Sequence, residues 1–294
     1  MHVGMAVAAK SWMLILLLLL AAIPSSSQAS SNEEYKGSKV LVEELTATWC
    51  EYCIIIDPQV VELQQVHASR LITITIHPEN DPLSNMAMDL RASQINTSEA
   101  NGTPAFWLNG AFYGQGVIDM SSLSRQVMKS ESSRASSSEL TMSPTAEGMD
   151  IKLTSSGEER NGSRLTIMLV EESITLRKGV ASNGQTKFHN VLLNSFSIDL
   201  DNQSTEEGGI GWNLSQSEFT LDSVNLRLTN DEILEEDVFW VIIHERSGSS
   251  YPLAVISSLE IDNAPDADDS SWIWLLVIVG AFGIYLAFPM KKKD

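Results

Sequence analysis

Apolar and polar positions change period several times along this chain, and each change marks an element. Lys39 to Thr48 reads as a strand, and from Cys50 to about His67 the residues Ile56, Val60, Leu63 and His67 recur at helical spacing. "LITITI", Leu71 to Ile76, alternates β-branched residues and predicts a second strand. A strand, a helix and a strand in so short a span make a βαβ unit, with parallel strands and a right-handed crossover. Residues 85–93 then predict a short helix. Ala105 to Leu108, the turn pair Asn109-Gly110 and Ala111 to Tyr113 predict a hairpin. A last helix, about Asp119 to Met128, puts Met120, Leu123 and Val127 on one face.

Beyond "KSESSRASSSE", which has no apolar content to pack and reads as a linker, the texture turns to β. From Glu139 to Ile261 short apolar runs such as "RLTIMLVEE" and "VFWVIIHE" are broken by Gly, Asn, Asp and Ser. About seven strands in that span favour an antiparallel sandwich of immunoglobulin-like type over a barrel. The expected organisation is an α/β domain over 38–130, a linker over 131–138 and an all-β sandwich over 139–262.

The two ends read as membrane-directed. Residues 1–29 combine Lys10, the apolar run Trp12 to Ile23 and small residues ending at Ala29, the pattern of an export signal. An acidic tether, 263–271, leads into 272–290, which carries no charge and is long enough to cross a bilayer once. Trp272 and Trp274 at one edge and Lys291, Lys292 and Lys293 after the other set the tail, 291–294, on the cytoplasmic side. This predicts a single-pass protein of the cell membrane with its N-terminal ectodomain outside the cytoplasm.

Charge removes two classes of partner. The chain carries a formal net charge of −19, and residues 30–271 hold 15 of the 19 Lys and Arg but 37 of the 38 Asp and Glu. Such a surface repels nucleic acid and anionic headgroups. Five N-x-S/T sequons, at Asn96, Asn101, Asn161, Asn202 and Asn213, offer glycan acceptors, and a glycan on Asn101 would crowd Pro104.

The candidate chemistry lies in "TATWCEYC", which holds the only two cysteines, Cys50 and Cys53. A structural staple is one use, but a loop of about four residues gains only about 2 kcal/mol in the chain-entropy model, against about 4.7 for a loop of about 100. Zinc is another, but His67, His77, His189 and His244 fall in no second ligand pair. Dithiol exchange is the third. At a helix N-terminus the peptide dipoles and unpaired amides stabilise a thiolate, so Cys50 attacks and Cys53, one turn on, resolves the mixed disulfide. That chemistry needs no cofactor and no metal.

The order strand, Trp-Cys-x-x-Cys, helix, strand, Thr-Pro, hairpin, helix resembles the thioredoxin superfamily over about residues 38–130. The resemblance implies a thioredoxin-like α/β domain ahead of the immunoglobulin-like sandwich and the transmembrane helix. It also implies that Trp49 shields the attacking thiol, that Pro58 kinks the first helix, and that Thr103 and Pro104 form a cis-proline loop offering backbone groups to an incoming peptide. Glu44 matches the family's buried acid and would accept the proton of Cys53. Alternation puts Glu43 and Glu44 on opposite faces, so one of them must meet packed helices if the sheet is covered. His77, in "TIHPENDPLSN", would hang from a strand end near the thiols. Glu51-Tyr52 departs from the family's usual Gly-Pro and leaves reductant, oxidant and isomerase undivided.

The expected function is a membrane-anchored, extracytoplasmic thiol-disulfide oxidoreductase acting on protein thiols and disulfides, with a membrane electron donor as a further partner. The alternative is a cell-surface binding or adhesion protein whose β-sandwich holds a partner and whose disulfide is structural.

Overall fold

In a β-strand successive side chains leave opposite faces, so a strand that is apolar at every position needs a core on each side. Most central strands of this chain are of that kind, and the architecture follows from it. The structure is a computed structural model that describes residues 35–145, 148–231 and 237–259. All of these fall in one compact unit.

The strands are β1 (Tyr35–Gly37), β2 (Val40–Leu45), β3 (Leu71–Ile76), β4 (Ala105–Leu108), β5 (Ala111–Gln115), β6 (Glu139–Thr145) and β7 (Gly148–Thr154). They continue as β8 (Ser163–Thr175), β9 (Lys187–Asp199), β10 (Thr205–Glu207), β11 (Trp212–Phe219), β12 (Ser223–Asn230), β13 (Val238–Arg246) and β14 (Pro252–Ser257). The helices are α1 (Cys53–His67), α2 (Met86–Gln94), α3 (Met120–Ser132) and the single turn α4 (Gly157–Arg160).

Two sheets result. One has five strands in the order β1-β6-β7-β12-β11, and the other has nine, running β14-β13-β8-β9-β3-β2-β4-β5 with β10 added on β9. The predicted βαβ unit is present as β2-α1-β3, with β2 and β3 parallel in register Val40↔Leu71 to Leu45↔Ile76. The β4–β5 hairpin also forms where the Asn109-Gly110 pair placed it.

Three cores fill the layers. Leu41, Ile72, Ile74, Met168, Val170, Val241, Ile243 and Val255 meet α2 residues on one face, spanning both the parallel and the antiparallel strands. Alternate residues serve the opposite face. Val40, Val42 and Leu71 pack with Ile56, Val60 and Leu63 of α1 and Leu123 and Val127 of α3. Leu165, Ile167, Phe196, Ile198, Ile242 and Ile256 pack against Leu140, Ile151, Leu153 and Leu226 of the five-stranded sheet.

This corrects the expected fold class. The α/β segment is not a free-standing thioredoxin-like domain followed by an immunoglobulin-like sandwich and a transmembrane helix. The fold is β-rich, and β3 pairs directly with β9 at Thr75↔Val191, so the strands of both segments form one mixed sheet. Thr75 Oγ1 reinforces the junction by donating to the carbonyls of His189 and Asn190. Strand runs that looked self-sufficient in sequence had a second face to cover, and each segment covers the other's. The linker residues belong to this body: Arg134 donates to the carbonyls of Ser38 and Lys39, and Ser137 and Ser138 donate to Glu159.

The membrane reading is corrected as well. Among the described residues no helix is long and apolar enough to cross a membrane. The predicted signal, 1–29, and span, 272–290, lie outside the described residues. The single-pass membrane location, the cytoplasmic tail and the membrane electron donor therefore have no structural support.

One turn is held tightly enough to test. Asn109 and Gly110 both have positive φ, 49° and 73°, and the Asn109 amide and side chain exchange hydrogen bonds with the backbone of Leu41. A Cβ on Gly110 would lie 2.2 Å from the Ser250 carbonyl oxygen. Gly110→Ala is therefore expected to destabilise the fold by about 2 kcal/mol or more, from strain and overpacking together. Urea unfolding checks this, and a loss under about 0.5 kcal/mol would mean that the two turns separate freely.

Candidate functional site

The first turn of α1 is built around sulfur. Four amides at a helix N-terminus have no intrahelical acceptor, and an N-cap side chain usually takes one of them. Here Tyr52 occupies the N-cap position and its side chain makes no capping bond. Instead the Cys53 amide donates to Cys50 Sγ at 3.1 Å. Cys50 and Cys53 are joined as a disulfide with Cα atoms 5.3 Å apart, and with Ala47 they form a small buried cluster. Cys50 keeps 4% of its surface exposed and Cys53 none. Cys50 is thus the less enclosed of the two.

Large apolar side chains surround this point, with Glu51 exposed among them. Trp49, Tyr52, Ile54 and Ile55 are all large and exposed. Trp49 is half exposed, at 51%, so it stands at the rim of the disulfide and is free to meet a ligand.

The other predicted residues come together at the same end of the sheet. Ala105 pairs with Leu45 in the antiparallel β2–β4 ladder, so Pro104, one residue before it, arrives at the level of Thr46 on the loop that leads to Cys50. The Thr103-Pro104 bond is cis. Pro104 is buried, and its carbonyl accepts from the Gly116 amide. Thr103 Oγ1 is buried with no hydrogen-bond partner among the described residues. Pro58 lies inside α1, one position past Asp57.

Sequence alternation required one of Glu43 and Glu44 to be covered, and the structure buries both. The reason is that β2 is central, with a core on each face. Glu43 shares its face with Leu41 and Leu45 and meets Arg91 of α2 in a bidentate pair, Nε to Oε1 at 2.5 Å and Nη2 to Oε2 at 3.1 Å. Glu44 shares its face with Val40 and Val42 and meets α1.

Among the described residues neither oxygen of Glu44 has a donor within hydrogen-bond reach, and its neighbour is the Asp57 carboxyl. Burial, and then the charge of Asp57, push the Glu44 pKa well above the usual carboxylate range. Burial also raises Asp57, against the hydrogen bonds it accepts from Gln185 and Thr46. Two carboxyls so placed titrate as a pair. They line a cavity of about 10 Å³ with Thr46, Thr73, Thr75 and Asn190, close to the space one water needs.

A consequence for stability follows. A carboxyl whose pKa is higher in the folded state adds stability at low pH, and that stability is lost as pH rises from the unfolded value of about 4.3 through the folded one. Glu44→Gln should therefore flatten the stability curve above about pH 4.3 and raise the urea midpoint at neutral pH. A midpoint that falls at neutral pH would show instead that the ionised Glu44 is stabilising.

His77 does not touch sulfur. Its Nδ1 lies 3.1 Å from Asp81 Oδ1, both side chains are fully buried, and its ring packs edge-on against Phe188. Asp81 Oδ2 accepts from the amide of Thr48 at 2.7 Å and from its hydroxyl at 2.9 Å. Burial would raise Asp81, but the bonds from His77, Leu83 and Thr48 outweigh it and hold the carboxyl below its ordinary value. His77 thus steadies, through Asp81, the loop two residues before Cys50.

No local pattern marks the remaining contributors. The connection between β8 and β9, residues 176–186, reaches over from the β-rich segment. Asn183 donates its amide to the Thr48 carbonyl and its side chain to the Cys50 carbonyl at 3.0 Å, while Gln185 Nε2 donates to Asp57 Oδ2 at 3.0 Å. An amide pair in a Gly-rich loop more than a hundred residues downstream carries no local pattern that could have revealed this. The histidines weighed as zinc partners are engaged elsewhere: His67 with Ser124, and His244 with Ser163 and Ser138. Burial lowers His244 to about 4, so it is neutral.

No family model and no curated protein matches this chain. Among solved structures it is similar to HBP35 of Porphyromonas gingivalis, at 14% identity and a TM-score of 0.56, with 78% of this chain and 77% of that one covered. It is also similar to protein AGR_C_4864 from Agrobacterium tumefaciens, at 13% identity and a TM-score of 0.51, with 78% and 96% covered. At such identities the likeness concerns the fold alone.

These findings correct the thioredoxin superfamily resemblance read from residues 38–130. The likenesses extend over 78% of the chain, far beyond that segment, and the shared fold is the β-rich body. Trp-Cys-x-x-Cys specifies the start of a helix, and a motif that short does not determine the sheet in which the helix is set.

Proposed function

We propose that this protein carries out thiol–disulfide exchange with cysteine-bearing polypeptides through the Cys50–Cys53 couple. The observation that carries the reading is the unequal setting of the two cysteines at a helix N-terminus: Cys50 Sγ accepts the first helical amide and Cys50 is the less enclosed residue, while Cys53 is sealed. Helix-end amides favour a thiolate at Cys50.

In the direction that starts from the disulfide, a substrate thiolate attacks Cys50 Sγ, the Cys50–Cys53 bond breaks, and Cys53 leaves with the bonding pair and takes up a proton. A second substrate thiolate then attacks the substrate sulfur of the mixed disulfide and releases Cys50 as thiolate. The substrate dithiol becomes a disulfide, and the couple gains two electrons. The reverse sequence reduces a substrate disulfide, and a dithiol donor then resets the couple. The exposed Trp49, Tyr52, Ile54 and Ile55 suit an apolar stretch of polypeptide, and the unpaired Thr103 hydroxyl suits a backbone group beside Pro104.

A second reading has support of its own. The solved structures that share the fold bear no redox name, and the β-rich body makes up most of the described chain. On that reading the protein binds a partner through its β-strands and the disulfide is a local brace. Reduction of insulin by the full chain, compared with Cys50→Ser, separates the two: equal rates would leave only the binding reading.

A further inference from the structure

We infer that Gln185, brought in by the β8–β9 connection, is a positioning residue for proton transfer at the Cys50–Cys53 couple: its side-chain amide holds Asp57 as the charged member of a buried carboxyl pair, so that the pair's proton rests on Glu44. The inference rests on the exchange chemistry proposed above.

Four observations carry it. Asp57 stands one helical turn after Cys53, and both are buried residues of α1, so the spacing puts them on one face of the helix. The donors in the pair are unevenly shared. Asp57 accepts from Thr46 Oγ1 at 3.1 and 3.2 Å and from Gln185 Nε2 at 3.0 Å, while Glu44 has no donor among the described residues. Donors stabilise the ionised form, so the negative charge settles on Asp57 and the proton on Glu44. Gln185 is itself fixed, because Nε2 also donates to the Lys187 carbonyl and its amide donates to Asn183 Oδ1. Finally, the connection that brings Gln185 also ties Asn183 to the carbonyls of Thr48 and Cys50.

The same loop therefore contacts both the reacting segment and Asp57 of the carboxyl pair. The water-sized cavity between Glu44 and Asp57 provides room for a proton carrier. When the reduced couple is oxidised, Cys53 gives its proton to this pair as its sulfur attacks Cys50; in the opposite direction Cys53 takes the proton back. The other titratable groups that act on Asp57 are His77, from the segment after β3, and His189 on β9. Both are left unchanged in the test.

Oxidation of the reduced full chain by oxidised glutathione, followed by tryptophan fluorescence across pH, reads the step. Two glutathione thiols form for each disulfide made in the protein. With Gln185→Met the pair loses a donor and holds its proton more tightly. The acid limb of the rate profile is then expected to move up by about one pH unit, roughly a tenfold loss of rate at a fixed acidic pH. Gln185→Glu should move it further the same way. In an Asp57→Asn background Gln185→Met should produce no shift.

A profile unmoved by both Gln185 variants, with exchange still dependent on Cys50, overturns the inference and leaves the exchange reading standing. So does an equal shift in the Asp57→Asn background, or a lower melting temperature without any shift, which would make Gln185 purely structural. Absence of Cys50-dependent exchange in the unaltered chain overturns the exchange reading itself, and this inference with it.

Discussion

Cys50→Ser is expected to abolish disulfide exchange, with a loss of at least about a hundredfold, whereas Cys53→Ser should still attack and then stall. The two outcomes differ because the sulfurs are placed differently. Cys50 is the less enclosed of the two, and its sulfur sits where the first helical amide donates. Cys53 is fully enclosed and can meet only a sulfur already bonded to Cys50. The Cys53→Ser chain should therefore accumulate as a covalent mixed disulfide with its substrate, recoverable under non-reducing conditions and lost on reduction. A Cys53→Ser chain that turns over freely, or a Cys50→Ser chain that forms the adduct, would reverse the assignment of the two thiols. If neither variant alters turnover, the disulfide is a brace and the binding reading takes its place.

The second large effect concerns the fold. Arg91→Met is expected to cost about 3–5 kcal/mol, because it removes the cation paired with Glu43 and leaves two buried carboxylates facing each other. Arg91 is 1% exposed and joins Glu43 on β2 to Glu245 on β13, with Nη1 at 2.8 Å from Glu245 Oε1. Arg164 and Thr166 complete the Glu245 shell.

Burial raises Glu43 against the pull of Arg91. For Glu245 the attraction of Arg91 and Arg164 outweighs burial and lowers it, and the guanidinium is held firmly protonated between them. The cluster therefore fastens the parallel strands to the antiparallel ones through a charge that neither could bury alone. A urea midpoint for Arg91→Met within about 1 kcal/mol of the parent would show that water reaches these carboxylates. Adding Glu43→Gln to Arg91→Met should recover much of the loss, since Glu43 is then no longer a charge without a partner while Glu245 keeps Arg164.

The carboxyl pair at Glu44 and the ion cluster at Glu43 are neighbours in sequence with opposite solutions. The strand period alone puts them on opposite faces. What each face holds was decided elsewhere: α1 presents Asp57 to one, and α2 presents Arg91 to the other. The same residue type is thus pushed toward neutrality on one side of the sheet and paired on the other.

How much of this was legible in the sequence varies with distance along the chain. Short-range physics was readable: apolar spacing gave α1 and β3, the Asn109-Gly110 pair gave the hairpin, and the adjacent cysteines marked the start of a helix. Contacts between residues far apart in sequence were not. That β3 would pair with β9, that both glutamates of β2 would be buried, and that Asn183 and Gln185 would close over the disulfide all depend on which surfaces meet after the chain collapses. A local pattern determines that a face must be covered. Only the packed structure determines what covers it, because the burial that stabilises a contact is earned by two segments at once and neither of them specifies its partner.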